Sequence, residues 1–143
     1  MSERIYSFTL PWPSKRLARW YKPRNGSDAA DDRHRAECWS ESNAYKAIRS
    51  RHPLVEIQLG DRVELDLVFV PPNMRKRNVF ALVDRMGPAL EGICRYCAIE
   101  PCNVRLQQRL AKCPTPRGQV LCHLKVFHTV KREAIQEDLF GVL

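Results

Sequence analysis

The sequence predicts an α+β domain: a small mixed β-sheet packed with helices. Three patterns carry that expectation. Val63, Leu65, Leu67 and Phe69 alternate with Arg62, Glu64 and Asp66, the period of a half-buried strand. Val79, Leu82, Val83, Met86 and Leu90 recur at helical spacing. Strand-like and helix-like stretches then follow one another in mixed order along 143 residues, which is one domain's length.

The elements read in turn as follows. Residues 4–10 form a strand that runs into the rigid Leu10-Pro11-Trp12-Pro13. Residues 22–37 are polar and aperiodic, and they read as a loop. Asp28, Asp31, Asp32 and His34 within it could hold a cation, but a solvated loop is the simpler reading. Ala44, Tyr45, Ala47 and Ile48 mark a helix from Ser40 to Arg51, closed by Pro53. The alternating strand ends at Pro71-Pro72, and a basic turn leads to the next helix. Gly87-Pro88 must kink or divide that helix. A Cys-rich segment, a strand over 121–130 and a short helix over 131–140 complete the order. Residues 1–130 are thus expected to form the domain and residues 131–143 a helical tail.

Charge is uneven. Residues 1–27 carry six Lys/Arg against Glu3, and residues 28–70 are net −3. Residues 71–132 carry twelve basic groups against Asp84, Glu91 and Glu100, within an overall charge of +8. Two basic blocks in one domain point to a polyanion-binding face; a basic surface with no partner is the bland alternative. No apolar run is long enough for a membrane span, and the opening residues lack the features of a secretory signal. The expected setting is the cytoplasm, with six reduced cysteines. No Ser/His/Asp set, P-loop or GxGxxG is evident, and His123 and His128 show no partner pattern.

Phe8-Thr9-Leu10-Pro11-Trp12-Pro13 followed by Trp20, the Tyr45-bearing helix, and the strand into Arg75-Lys76-Arg77 and a helix together resemble the Holliday-junction resolvases of the RusA type. The resemblance spans about Arg4 to Val130. It implies a homodimer that binds four-way DNA junctions and cuts them with Mg²⁺. In that family the basic turn leads into Asp-x-Asp-Asn, and a third carboxylate follows the helix. Here the matched positions are Asn78, Phe80 and Ala81, and the third carboxylate falls near Glu100 if one insertion is allowed. A family lysine falls at Asp84 and a family Asn at Leu17. Mg²⁺ is a hard cation held by anionic oxygens, so the expectation is a degenerate, non-catalytic member, with magnesium relevant only if cleavage survives. Lys15, Arg16, Arg19, Arg75, Lys76 and Arg77 are the candidate nucleic-acid contacts, since binding phosphate needs no carboxylate. Trp20 and Trp39 read as core residues, with stacking on bases as the second reading.

Cys94-x2-Cys97-x4-Cys102-x10-Cys113 could complete a tetrahedral zinc site, with Arg95, Arg105, Arg109 and Lys112 favouring thiolates. Buried free thiols are the other reading, and no other cofactor is expected. Cys38 and Cys122 read as core residues. Three functions remain open: a non-cutting binder of branched or duplex DNA, a nuclease rebuilt on Glu100, Asp84 or Asp66, and a phage-type regulator that binds a protein such as the transcription machinery.

Overall fold

The computed structural model describes residues 2–23, 26 and 28–128. In chain order these form β1 (Ser2–Pro11), α1 (Ala29–Arg51), β2 (Arg62–Val70), α2 (Val79–Arg85), α3 (Gly87–Cys97), β3 (Val104–Leu110) and β4 (Gln119–His128). The sheet order is β1-β4-β2-β3. β4 is antiparallel to β1 and β2, whereas β3 is parallel to β2. The mixed α+β sheet expected from the sequence is therefore present. The helical tail expected over 131–143 lies outside the described residues.

One face of the sheet makes the core. Phe8 and Leu10 of β1, Leu65, Leu67 and Phe69 of β2, and Val120, Cys122 and Leu124 of β4 pack on Ala44, Ile48, Leu82, Met86 and Ile93 from the helices. The alternation read in β2 is thus the alternation between this face and the opposite one. Among the described residues, no helix is long and apolar enough to cross a membrane.

Three elements depart from the sequence expectation. α1 begins at Ala29, well ahead of Ser40, so most of the expected loop is helix. Asp28 caps it by accepting from the Ala30 amide at 2.9 Å, and Asp31 and Asp32 occupy the first turn, where carboxylates complement the helix dipole. This half of α1 carries no apolar stripe because only Ala36 in it is buried. β3 lies inside the Cys-rich segment. It is an edge strand whose residues alternate between half-buried and exposed, so its apolar pattern is weak. β4 starts at Gln119 rather than Leu121. The division at Gly87-Pro88 occurs as expected: α2 stops at Met86, and Pro88 sits in the first turn of α3, where a missing N–H costs nothing.

α1 and α3 cross in close contact at Gly92. A methyl group there would collide with the Glu41 carbonyl. The same crossing carries Arg95 paired with Glu41 at 3.1 Å and Tyr96 donating to the His52 carbonyl at 2.6 Å. Gly92→Ala should therefore destabilise the protein by about 1–3 kcal/mol, the usual cost of overpacking, read from the urea midpoint. Gly87→Ala, where a methyl group meets open space, should leave the midpoint nearly unchanged.

Candidate nucleic-acid interface

Because β4 runs against β1 and β2 while β3 follows β2, the loops that leave β1, β2 and β3 and the loop that enters β4 share one end of the sheet. These are residues 12–23, 71–78 and 111–118. They carry Lys15, Arg16, Arg19, Lys22, Arg75, Lys76, Arg77, Lys112 and Arg117, and no Asp or Glu. At the other end, residues 52–61 and 98–103 carry Glu56, Asp61 and Glu100 and no Lys or Arg. The loops at the two ends thus differ in charge, while Asp28, Asp31 and Asp32 open α1 beside residues 12–23, where Arg33 donates to the Ala18 carbonyl at 2.8 Å.

Specific contacts tie the basic loops together. The Thr115 amide donates to the Pro71 carbonyl at 3.0 Å. Gly118, at φ +67°, sits against Pro72 and Trp12 so closely that a Cβ would crowd both. The Arg77 guanidinium lies 5.3 Å from the centre of the Trp12 ring. It also donates to the Asn73 carbonyl at 2.9 Å, the Arg75 carbonyl at 3.0 Å and Asn73 Oδ1 at 2.7 Å. Arg77 therefore shapes the turn, while Arg75 and Lys76 stand exposed. In the loop after β1, a 3₁₀ turn over Lys15–Leu17 is capped by Ser14. Leu17 and Ala18 are buried beneath it, which leaves Lys15, Arg16 and Arg19 in solvent.

Aromatic rings are exposed among these cations. Trp20 is 66% exposed and Phe80, in the first turn of α2, is 73% exposed. Trp39 on α1 is 56% exposed. The expectation that Trp20 and Trp39 pack in the core is therefore corrected: the core is filled by strand residues and the inward sides of the helices, and neither tryptophan lies on those faces.

The positions matched to the nuclease motif have other local roles. Asn78 caps α2 by accepting from the Phe80 amide at 3.0 Å. Ala81 is exposed, and Asp84 pairs with Arg19 at 3.9 Å. Glu100 precedes β3 at the opposite end of the sheet. The nine residues of β2, at about 3.3 Å each, separate it from Asn78 by roughly 30 Å. Asp66 lies on the face of the sheet away from the helices and pairs with Lys125 at 2.8 Å. These carboxylates do not converge.

The four cysteines proposed for zinc do not converge either. β3 stands between Cys102 and Cys113, which places them at opposite ends of the sheet, and among the described residues no three Cys, His, Asp or Glu gather as a metal site. At Cys94 and Cys97 the neighbouring cations do not favour thiolates. Burial pushes Cys94 up to about 11 and Cys97 up to about 12. Cys122 is buried as expected and is pushed up to about 12, whereas Cys38 is exposed rather than in the core.

The register reveals histidine partners that local pattern does not. Ser7, His123 and Asp66 lie in one row across the sheet. Ser7 Oγ is 2.8 Å from His123 Nδ1. In a nucleophilic triad that nitrogen would face the carboxylate, but here Asp66 is turned to Lys125. His128 Nδ1 is 2.9 Å from Asp61 Oδ2, which ties the end of β4 to the turn before β2.

No protein-family model matches this chain, and no curated protein matches it.

The cysteine environments predict two outcomes. A thiol reagent near neutral pH should label exposed Cys38, Cys102 and Cys113 quickly, and Cys94 and Cys122 only on unfolding. The buried thiols hold their protons longer in the folded state than an ordinary thiol at 9.0. Their contribution to stability should be complete below pH 9 and lost as pH rises towards about 12, measured by thermal melting against pH.

Proposed function

We propose that this chain is a nucleic-acid-binding domain, chiefly for DNA, that holds its target without cutting it. The observation that carries the proposal is the end of the sheet where three loops hold Lys and Arg and no Asp or Glu of their own, with exposed rings nearby at Trp20 and Phe80. Phosphates bind such cations with release of condensed counterions. Exposed aromatic faces supply stacking for unpaired bases. The resemblance to RusA-type resolvases favours the same surface, since the basic turn Arg75-Lys76-Arg77 is part of it.

The missing cut has a physical basis. Asn78 is engaged in capping α2, Phe80 and Ala81 offer no oxygen ligand, and Glu100 stands at the far end of the sheet. A hard divalent cation needs several oxygens at one point. Asp66, Asp84 and Glu100 are in three places and cannot substitute for them.

Anisotropy of a labelled four-way junction and a labelled duplex, titrated at several salt concentrations, tests the reading. Affinity should fall steeply with salt. The double substitution Arg75→Ala and Lys76→Ala should weaken binding and reduce the salt slope by about 2, one per lost phosphate contact. Arg77 is left intact because it holds the turn. Gels run with Mg²⁺ or Mn²⁺ should show retention and no incision. An unchanged slope would turn the basic loops away from the nucleic acid, and metal-dependent nicking would restore a nuclease.

A further inference from the structure

Beside the basic loops lies a narrow cleft, open on one side to solvent, whose interior of about 20 Å³ has room for little more than one water. Pro11, Trp12 and Pro13 form one wall. Trp39 and Asn43 of α1 form another, and Arg85 and Met86 close the end of α2. Trp12 is a fixed wall. It meets Phe69 edge-on at 6.1 Å, and Arg77 lies over its ring. Trp39 differs, since more than half of it is exposed.

Arg85 makes the cleft chemically incomplete. Its Nε–H is withdrawn from water and has no hydrogen-bond partner, a costly state for a charged donor. Burial first, and the charge of Arg77 second, pull its pKa down. Electron density laid at the mouth of the cleft would be attracted by this charge, although Nε itself is sealed from a ligand. Asn43 adds an amide that can donate and accept. The cleft thus offers one open ring for stacking and polar groups suited to the edge of a flat ligand. The loops beside it carry Lys15, Arg16 and Arg75 and no Asp or Glu of their own, which suits a flat ligand that belongs to a polyanion.

We infer that this cleft takes one unpaired base, stacked across Trp39 with its polar edge towards Asn43 and Arg85. The inference rests on the reading of the basic end as a nucleic-acid surface and deepens it. A base inside a uniform duplex has both faces covered by its neighbours and cannot lie on Trp39. The protein therefore discriminates in favour of single strands and of junctions with unpaired bases. The cleft is a slit rather than a chamber, so the ring lies at its mouth.

The test uses the full chain with three labelled probes of equal length at fixed salt: a single strand, a duplex, and a base-free strand that keeps the phosphates. The unmodified protein should bind the single strand about tenfold tighter than the base-free strand, in line with the usual worth of one stacked base. Trp39→Ala should weaken single-strand affinity about tenfold and leave duplex affinity unchanged. Trp39→Phe should keep most of it, and Asn43→Ala should weaken single-strand binding alone. Trp39 is exposed, so its truncation should not shift the thermal melt, which is checked in parallel. Equal loss on strand and duplex, or no loss, overturns the inference. If the unmodified protein binds all three probes alike, the basic surface stands and the base site falls. If it binds none, both fall.

Discussion

The placement of β4 between β1 and β2 governs the molecule. By running against both, it forces them to point the same way, and β3 follows β2. Strands that point the same way must be joined by crossovers, and a crossover needs a helix or a long connection. β1 reaches β2 through α1, and β2 reaches β3 through α2 and α3. Both crossovers step in the same direction across the sheet. The fixed handedness of such connections then puts all three helices on one face. They have to pass each other there, and the contact at Gly92 is where they do so.

The same constraint makes the basic end costly by itself. Cations from separate loops are brought together, and those loops hold no Asp or Glu of their own. Part of the strain is absorbed locally: the Trp12 ring and nearby carbonyls take up Arg77, and Asp84 lies against Arg19. The Arg19–Asp84 pair is exposed and contributes little. Arg85 is left beside Arg77 with a donor unmet. A phosphate chain laid over this surface would offset the repulsion that the fold leaves in place. Asn78 fits the same arrangement, since it caps α2 with a neutral amide that adds no negative charge there.

Elements whose residues meet the core were legible in the sequence. The alternation of β2 and the Gly87-Pro88 division are local patterns with a single physical meaning. The first half of α1 was not legible, because it owes its helicity to the Asp28 cap rather than to an apolar stripe. β3 was hidden because an edge strand is only half covered. For the site, the basic residues were visible as residue types. Their grouping was not, since it follows from strand order, which no short pattern encodes. The cysteine spacing misled for the same reason: a strand lies between Cys102 and Cys113, and counting residues does not reveal it. Trp20 and Trp39 were assigned inward by their chemistry alone, while the geometry of the chain around them left them outside.

The far end of the sheet, with Glu56, Asp61 and Glu100, gives the molecule a direction as well as a charge. In the field of a polyanion, the two ends feel opposite forces. The resulting torque turns the basic loops forward before any contact is made. Such orientation acts over roughly a Debye length, about 8 Å at physiological ionic strength. Within that distance, encounters arrive pre-aligned, and a larger share of collisions lead to a bound state. On the proposed nucleic-acid reading, carboxylates that never touch the partner would still influence how fast it is captured.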